Sequence, residues 1–174
     1  MTRRLCAWAG AAGLALLAGC ATRYAEPLPG APAATLTIAH QGKDFPSWTT
    51  VTVFDNGGCQ ASPASGRIGT VGKAYDLSEK PKPTRVRARQ PLHVAVQGTS
   101  SSAVSVTGVN GPLTRYTCTS LVSFTPEAGR AYTVSQRVYA PGRCKAVVTD
   151  DATQAPPPDL AQPPTPAACE SNGP

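Results

Sequence analysis

The chain has 174 residues, including 18 prolines, 16 glycines, a single methionine and 6% aromatics, and a net charge of +6. That length suits one ordinary domain, and the proline and glycine content argues against long helices and for short strands joined by turns. The positive charge comes without a long block of like sign, which reads as a solvated mixed surface.

Arg3 and Arg4 precede an apolar stretch over residues 5–18. It falls short of the ~20 residues a membrane-spanning helix needs and matches the apolar part of a signal peptide, so residues 1–19 are expected to be a leader. The stretch ends in Leu17-Ala18-Gly19-Cys20. These residues resemble the lipobox of bacterial lipoproteins, L-[AS]-[GA]-C, at all four positions. The resemblance implies a diacylglycerol on the Cys20 thiol, cleavage just before Cys20 and acylation of the new amine. Ala21, where an inner-membrane protein would carry Asp, implies sorting to the outer membrane with the domain facing the periplasm. Several acyl chains, each contributing ~0.8 kcal/mol per buried CH₂, would make the anchor durable. Removing Arg3 and Arg4 with the leader takes two from the 16 basic residues, leaving 14 against 10 acidic ones, or +4.

Residues 20–34 are rich in proline and alanine and show no apolar period, so they are expected to form a flexible tether. A domain is expected over residues 35–151. "TLTIAH" and "WTTVTVF" place Leu36, Ile38, Val51 and Val53 on strands, and a short strand is expected around residues 68–71. The alternation is clearest in "TRVRARQPLHVAVQ": Val86, Ala88, Leu92, Val94 and Val96 share one parity, while Arg85, Arg87, Arg89 and His93 share the other. That pattern predicts a half-buried strand, with Pro91 demanding a bend or an edge position. "SAVSVTGV" puts Val104 and Val106 on one face. "TRYTCTSLVSF" does the same for Tyr116, Cys118, Val122 and Phe124, with Leu121 out of phase. "AYTVSQRVY" aligns Tyr132, Val134 and Val138, and "RCKAVVTD" aligns Cys144, Ala146 and Val148. The pattern predicts an all-β fold: an antiparallel sandwich, immunoglobulin-like or transthyretin-like, of about seven to eight short strands.

Within "SFTPEAGRAY", Pro126, Gly129 and Tyr132 follow the spacing P-x-x-G-x-x-Y. This resembles the tyrosine corner of immunoglobulin-like and fibronectin-like sandwiches; a plain Pro/Gly hairpin with a core tyrosine is the alternative. Together with "RVRARQPLHVAV" and "RCKAVVTDD", the segment also resembles small bacterial envelope lipoproteins of unknown function. There a turn like Ala-Gly-Lys-Pro stands where this chain reads Ala88-Arg89-Gln90-Pro91, without the glycine. The resemblance implies a sandwich and an envelope location, and carries no activity. Residues 152–174 are proline-rich and are expected to be an extended, disordered tail.

Of six cysteines, Cys6 leaves with the leader and Cys20 takes the lipid. Cys59, Cys118, Cys144 and Cys169 remain, an even number in an oxidising compartment, so two disulfides are expected. Cys118 and Cys144 share the parity of core residues, which favours a bond between them. In a flat three-strand meander their strands would lie 9–10 Å apart, roughly, beyond the ~7 Å reach of a disulfide, so the last strand must cross to the facing sheet. Cys59 and Cys169 pair by default; Cys59–Cys118 with Cys144–Cys169 is the alternative.

No nucleophile-elbow, zinc-protease or phosphate-loop motif occurs, no C-x-x-C is present, and His40 and His93 are far apart in sequence. Neither a cofactor nor a metal is expected, and the chain reads as non-enzymatic. Lys80, Lys82, Arg85, Arg87 and Arg89 form the strongest surface feature. They suit an anionic lipid or acidic envelope protein, or an edge strand guarded by charge. Nucleic acid is excluded by export and by the lack of stacking aromatics in the basic run. The expected function is that of a membrane-anchored binding or structural module. The alternatives are an accessory lipoprotein of an envelope or secretion machine, and an enzyme inhibitor working through a protruding loop at 55–66 or 97–112.

Overall fold

A computed structural model of the chain describes residues 23–41, 47–73, 82–103, 113–140 and 142–171. The leader, Cys20, Lys80, Val104 and Val106 lie outside the described residues. Among the described residues, eight strands, β1 (Ala33–Ile38), β2 (Ser47–Phe54), β3 (Gly66–Lys73), β4 (Thr84–Arg87), β5 (Leu92–Ala103), β6 (Leu113–Phe124), β7 (Ala131–Ala140) and β8 (Arg143–Asp150), precede one short helix, α1 (Ala167–Ser171). They form two four-stranded sheets, ordered β4-β1-β7-β8 and β3-β2-β5-β6. The result is a β-sandwich. Its pairing is antiparallel with one exception to the expectation: β1 runs parallel to β7, with Thr35 opposite Ala131. Two strands also exceed the expected short length, since β5 and β6 each have 12 residues.

The core is built from the inward parity of both sheets. Val51, Val53, Val94, Val96 and Val122 from one sheet meet Leu36, Val86, Val134 and Val148 from the other, all essentially sealed from solvent. β-branched side chains pack well on a pleated surface, and burying each contributes about 1.5–3 kcal/mol. Val138 departs from its expected parity: it is 59% exposed, because the tip of β7 runs past the core.

The run from Arg85 to Val96 is two strands rather than one. The chain leaves the first sheet after Arg87 and enters the second at Leu92, and Arg89, with φ 64°, makes the corner. Arg89 therefore sits in the left-handed region, where a Cβ is unfavourable. A second crossing follows β6. The hydroxyl of Tyr132 accepts a hydrogen bond from the Glu127 amide at 3.0 Å, and the Tyr132 ring meets Phe124 edge-on at 5.1 Å. This is the bond expected of a tyrosine corner. It joins strands of facing sheets and is not a hairpin. β7 and β8 thus both lie in the sheet facing that of β6, with β8 opposite β6, and Cys118 bonds Cys144 across a Cα–Cα distance of 6.0 Å.

The expectation of a disordered tail is overturned. Ser123 and Ala161 exchange backbone hydrogen bonds at 2.9 and 2.8 Å, so the tail extends the sheet at the edge of β6. Flanking amides are taken as well: Leu121 N–H by Thr165 Oγ1 and Thr125 N–H by the Asp159 carboxylate. Cys169 then bonds Cys59, and with Phe54, Ala95 and Leu121 they form a second apolar cluster on the outer face of that sheet. Proline-rich composition argues for disorder only where nothing holds the chain. Here a disulfide and a strand edge hold it. Leu121 is out of phase because both faces of its strand are covered.

Candidate functional site

A two-layer sandwich has two open sides, where the edge strands of the sheets face one another. One is closed by the Cys118–Cys144 bond between β6 and β8. The other, between β3 and β4, is spanned by residues 23–32. The Tyr24 amide donates to the Arg67 carbonyl of β3 at 3.0 Å, and the Tyr24 hydroxyl accepts from the Arg87 amide of β4 at 3.3 Å. Arg85 reaches the Pro27 carbonyl at 3.2 Å, and the Ala88 amide donates to the Pro32 carbonyl. Tyr24 itself is buried in the main core cluster. The expected tether is, from Arg23 onward, a strap fastened to both sheets. Gly66 permits the close approach, since a Cβ there would strike the backbone of Arg23 and Tyr24.

The strap divides the seam into two clefts, and Tyr24 lines both. One, of about 260 Å³, has an apolar floor of Ile38, Ile68 and Val71 under a rim of Arg23, Glu26 and Lys82. The other, of about 230 Å³, is lined by Phe54, Asp55, Arg87, Leu92 and His93 among others. Burial raises the Tyr24 phenol above its ordinary value, outweighing the opposing effects of the bond from the Arg87 amide and the nearby Arg87 charge. The Asp55 carboxyl is held below its ordinary value, chiefly by the Ser62 hydroxyl at 2.8 Å and then by the Asn56 amide at 2.9 Å.

The expected basic surface is reorganised. Arg85 and Arg87 share the outward parity of β4, which is an edge strand, and both are half-buried under the strap. Arg89 leaves that row for the exposed corner after the strand. Lys82 is exposed at the rim of the first cleft. His93, expected to face outward beside the arginines, belongs to the facing sheet. It is half-buried, with Gly57 of the β2–β3 loop against its ring. Its Nδ1 is buried without a hydrogen-bond partner among the described residues.

His40 contacts Thr49 Oγ1 through Nδ1 at 3.1 Å and Ser47 Oγ through Nε2 at 3.0 Å, so the imidazole links the end of β1 to the facing sheet. Ser47 is only 2% exposed, which suits this linking role better than attack on a substrate. Of the two segments expected to protrude, the β2–β3 loop is pinned at fully buried Cys59. In the other, residues 97–103 belong to β5 and 104–112 lie outside the described residues. Among the described residues no cluster of three or more His, Cys, Asp or Glu side chains gathers in a way that suits a metal ion.

The strap was the element that sequence reasoning missed. Tyr24, a lone large aromatic in a Pro/Ala segment, was the signal that could have found it. Comparison of the chain with protein-family models, with curated proteins and with solved structures finds no match.

Proposed function

We propose that the chain is a lipoprotein anchored in the outer membrane through Cys20, its sandwich serving as a non-enzymatic binding or structural module on the periplasmic side of the envelope. One observation carries the reading. A four-residue lipobox precedes a domain in which all four remaining cysteines are joined as Cys59–Cys169 and Cys118–Cys144. Disulfides persist in exported proteins and are rare in a reducing cytosol, so the bonds support the export that the leader implies. The Tyr132–Glu127 bond supports reading the sandwich as immunoglobulin-like. An anionic lipid or an acidic envelope protein is the partner that the basic residues of the seam favour.

Substituting Cys20→Ser tests the proposal. The variant should lose its acyl mass and move from the membrane to the soluble fraction. Retention of acylation in that variant would sink the lipobox reading.

A further inference from the structure

The strap begins at Arg23, three residues after Cys20. Three extended residues span about 11 Å at most, so an acylated Cys20 would leave no spacer between lipid and fold. The region next to that point is amphiphilic. Arg23, Lys82, Arg85 and Arg87 touch or flank the strap, against two carboxylates, Glu26 in the first cleft and Asp55 in the second. Leu28, on the strap, is 79% exposed, more than any other large apolar side chain among the described residues.

From this placement we infer that the sandwich docks by its strapped seam onto a lipid surface, with the basic side chains against anionic phospholipid head groups and Leu28 at the interface. This rests on the proposed acylation of Cys20. Basic residues near an anionic bilayer each strengthen attachment, and Leu28 adds apolar area at the same face.

Among the described residues, a second amphiphilic surface is the β7–β8 tip, where exposed Val138 and Tyr139 lie among Arg137, Arg143 and Lys145. Arg23, the end of the strap next to Cys20, lies with Lys82 beside Ile38, which stands opposite Val134 of β7. Tyr139 is five residues further along, roughly 17 Å away. A short anchor at the strap leaves that tip directed away from the bilayer.

The test uses the lipidated full-length protein in phosphatidylcholine vesicles containing a photoactivatable phosphatidylglycerol, with crosslinks and acyl mass mapped by mass spectrometry. The expected result is an acylated Cys20, with crosslinks in residues 23–28 and 82–89 and none in 137–145. Lys82→Gln and Arg23→Gln should each lower the ratio of docked to undocked protein roughly fivefold. Acylated Cys20 with crosslinks at 137–145 instead, or with none at the seam, overturns the docking and leaves the anchor standing. An unacylated Cys20 overturns the anchor and the docking together.

Discussion

The carboxamide of Gln136 occupies the place that a side chain at residue 98 would need. Gln136, on β7, reaches across the sandwich, and its Nε2 donates to the Val96 carbonyl at 2.9 Å and the Cys118 carbonyl at 3.1 Å, beside the Cys144 sulfur. A Cβ on Gly98 would collide with its Oε1. Gly98→Ala should therefore cost about 1–3 kcal/mol through overpacking. Gln136→Ala should cost about 1–3 kcal/mol by leaving buried carbonyls unpaired. Because both act on one contact, the double variant should lose less than the sum, measured as urea midpoints in a double-mutant cycle. Strict additivity would show that the two sites do not compete for space.

Cys169→Ser should release the tail from the sheet. The bond spans a sequence separation of 110, and losing a loop closure of that size costs about 2–5 kcal/mol. The effect should be local as well as global. The amides of Leu121, Ser123 and Thr125, whose acceptors all belong to the tail, should exchange with solvent faster than those of β5. The bared edge of β6 should also promote association between molecules, seen by light scattering. Unchanged exchange at those three amides would mean that the tail stays docked without its disulfide.

Arg89→Gly should stabilise the domain. The left-handed conformation at φ 64° costs a residue with a Cβ about 1–2 kcal/mol. The greater freedom of glycine in the unfolded chain offsets ~0.5–1 kcal/mol of that gain. The net effect should be a gain of about 0–1.5 kcal/mol, read from thermal or urea unfolding. A loss would mean that the Arg89 side chain contributes contacts worth more than the strain.

Alternation was a faithful guide to which residues face inward: Val86, Val94, Val96, Ala146 and Val148 are all in the core. It said nothing of which sheet a strand joins, because periodicity is local and pairing is not. Hence Arg85 and His93 share a parity in sequence yet lie in different sheets. The bend between them was signalled by Pro91. Leu121, out of phase with its neighbours, carried the mark of the docked tail, but composition at residues 152–174 pointed to disorder. The strap stayed hidden because Tyr24 meets partners more than 40 residues away, at Arg67 and Arg87.

The two perturbed groups predict opposite ends of a pH profile. The Asp55 carboxyl is depressed in the fold, so the stability it contributes is present above its ordinary value and lost as pH falls through the lower folded value. Acid should loosen the β2–β3 loop first, seen as faster exchange of the Gln60 amide, and Asp55→Asn should remove that pH dependence. The Tyr24 phenol is raised, so its contribution is intact below its ordinary value near 10.0 and is lost as pH rises through the folded value. Tyr24→Phe should flatten the alkaline limb of the unfolding curve; an unchanged limb would place the alkaline transition elsewhere.

The Cys59–Cys169 bond turns most of the domain into a covalent ring, with the smaller ring closed by Cys118 and Cys144 inside it. A single backbone cut at any bond between those outer cysteines would leave both fragments attached, so a nicked molecule would keep its mass until reduced. The ring also redirects force. A pull between the strap and the residues after Cys169 passes from Cys59 straight to Cys169. β3 through β8 are then bypassed, and β1 and β2, which lie before Cys59, are the strands that would bear the load.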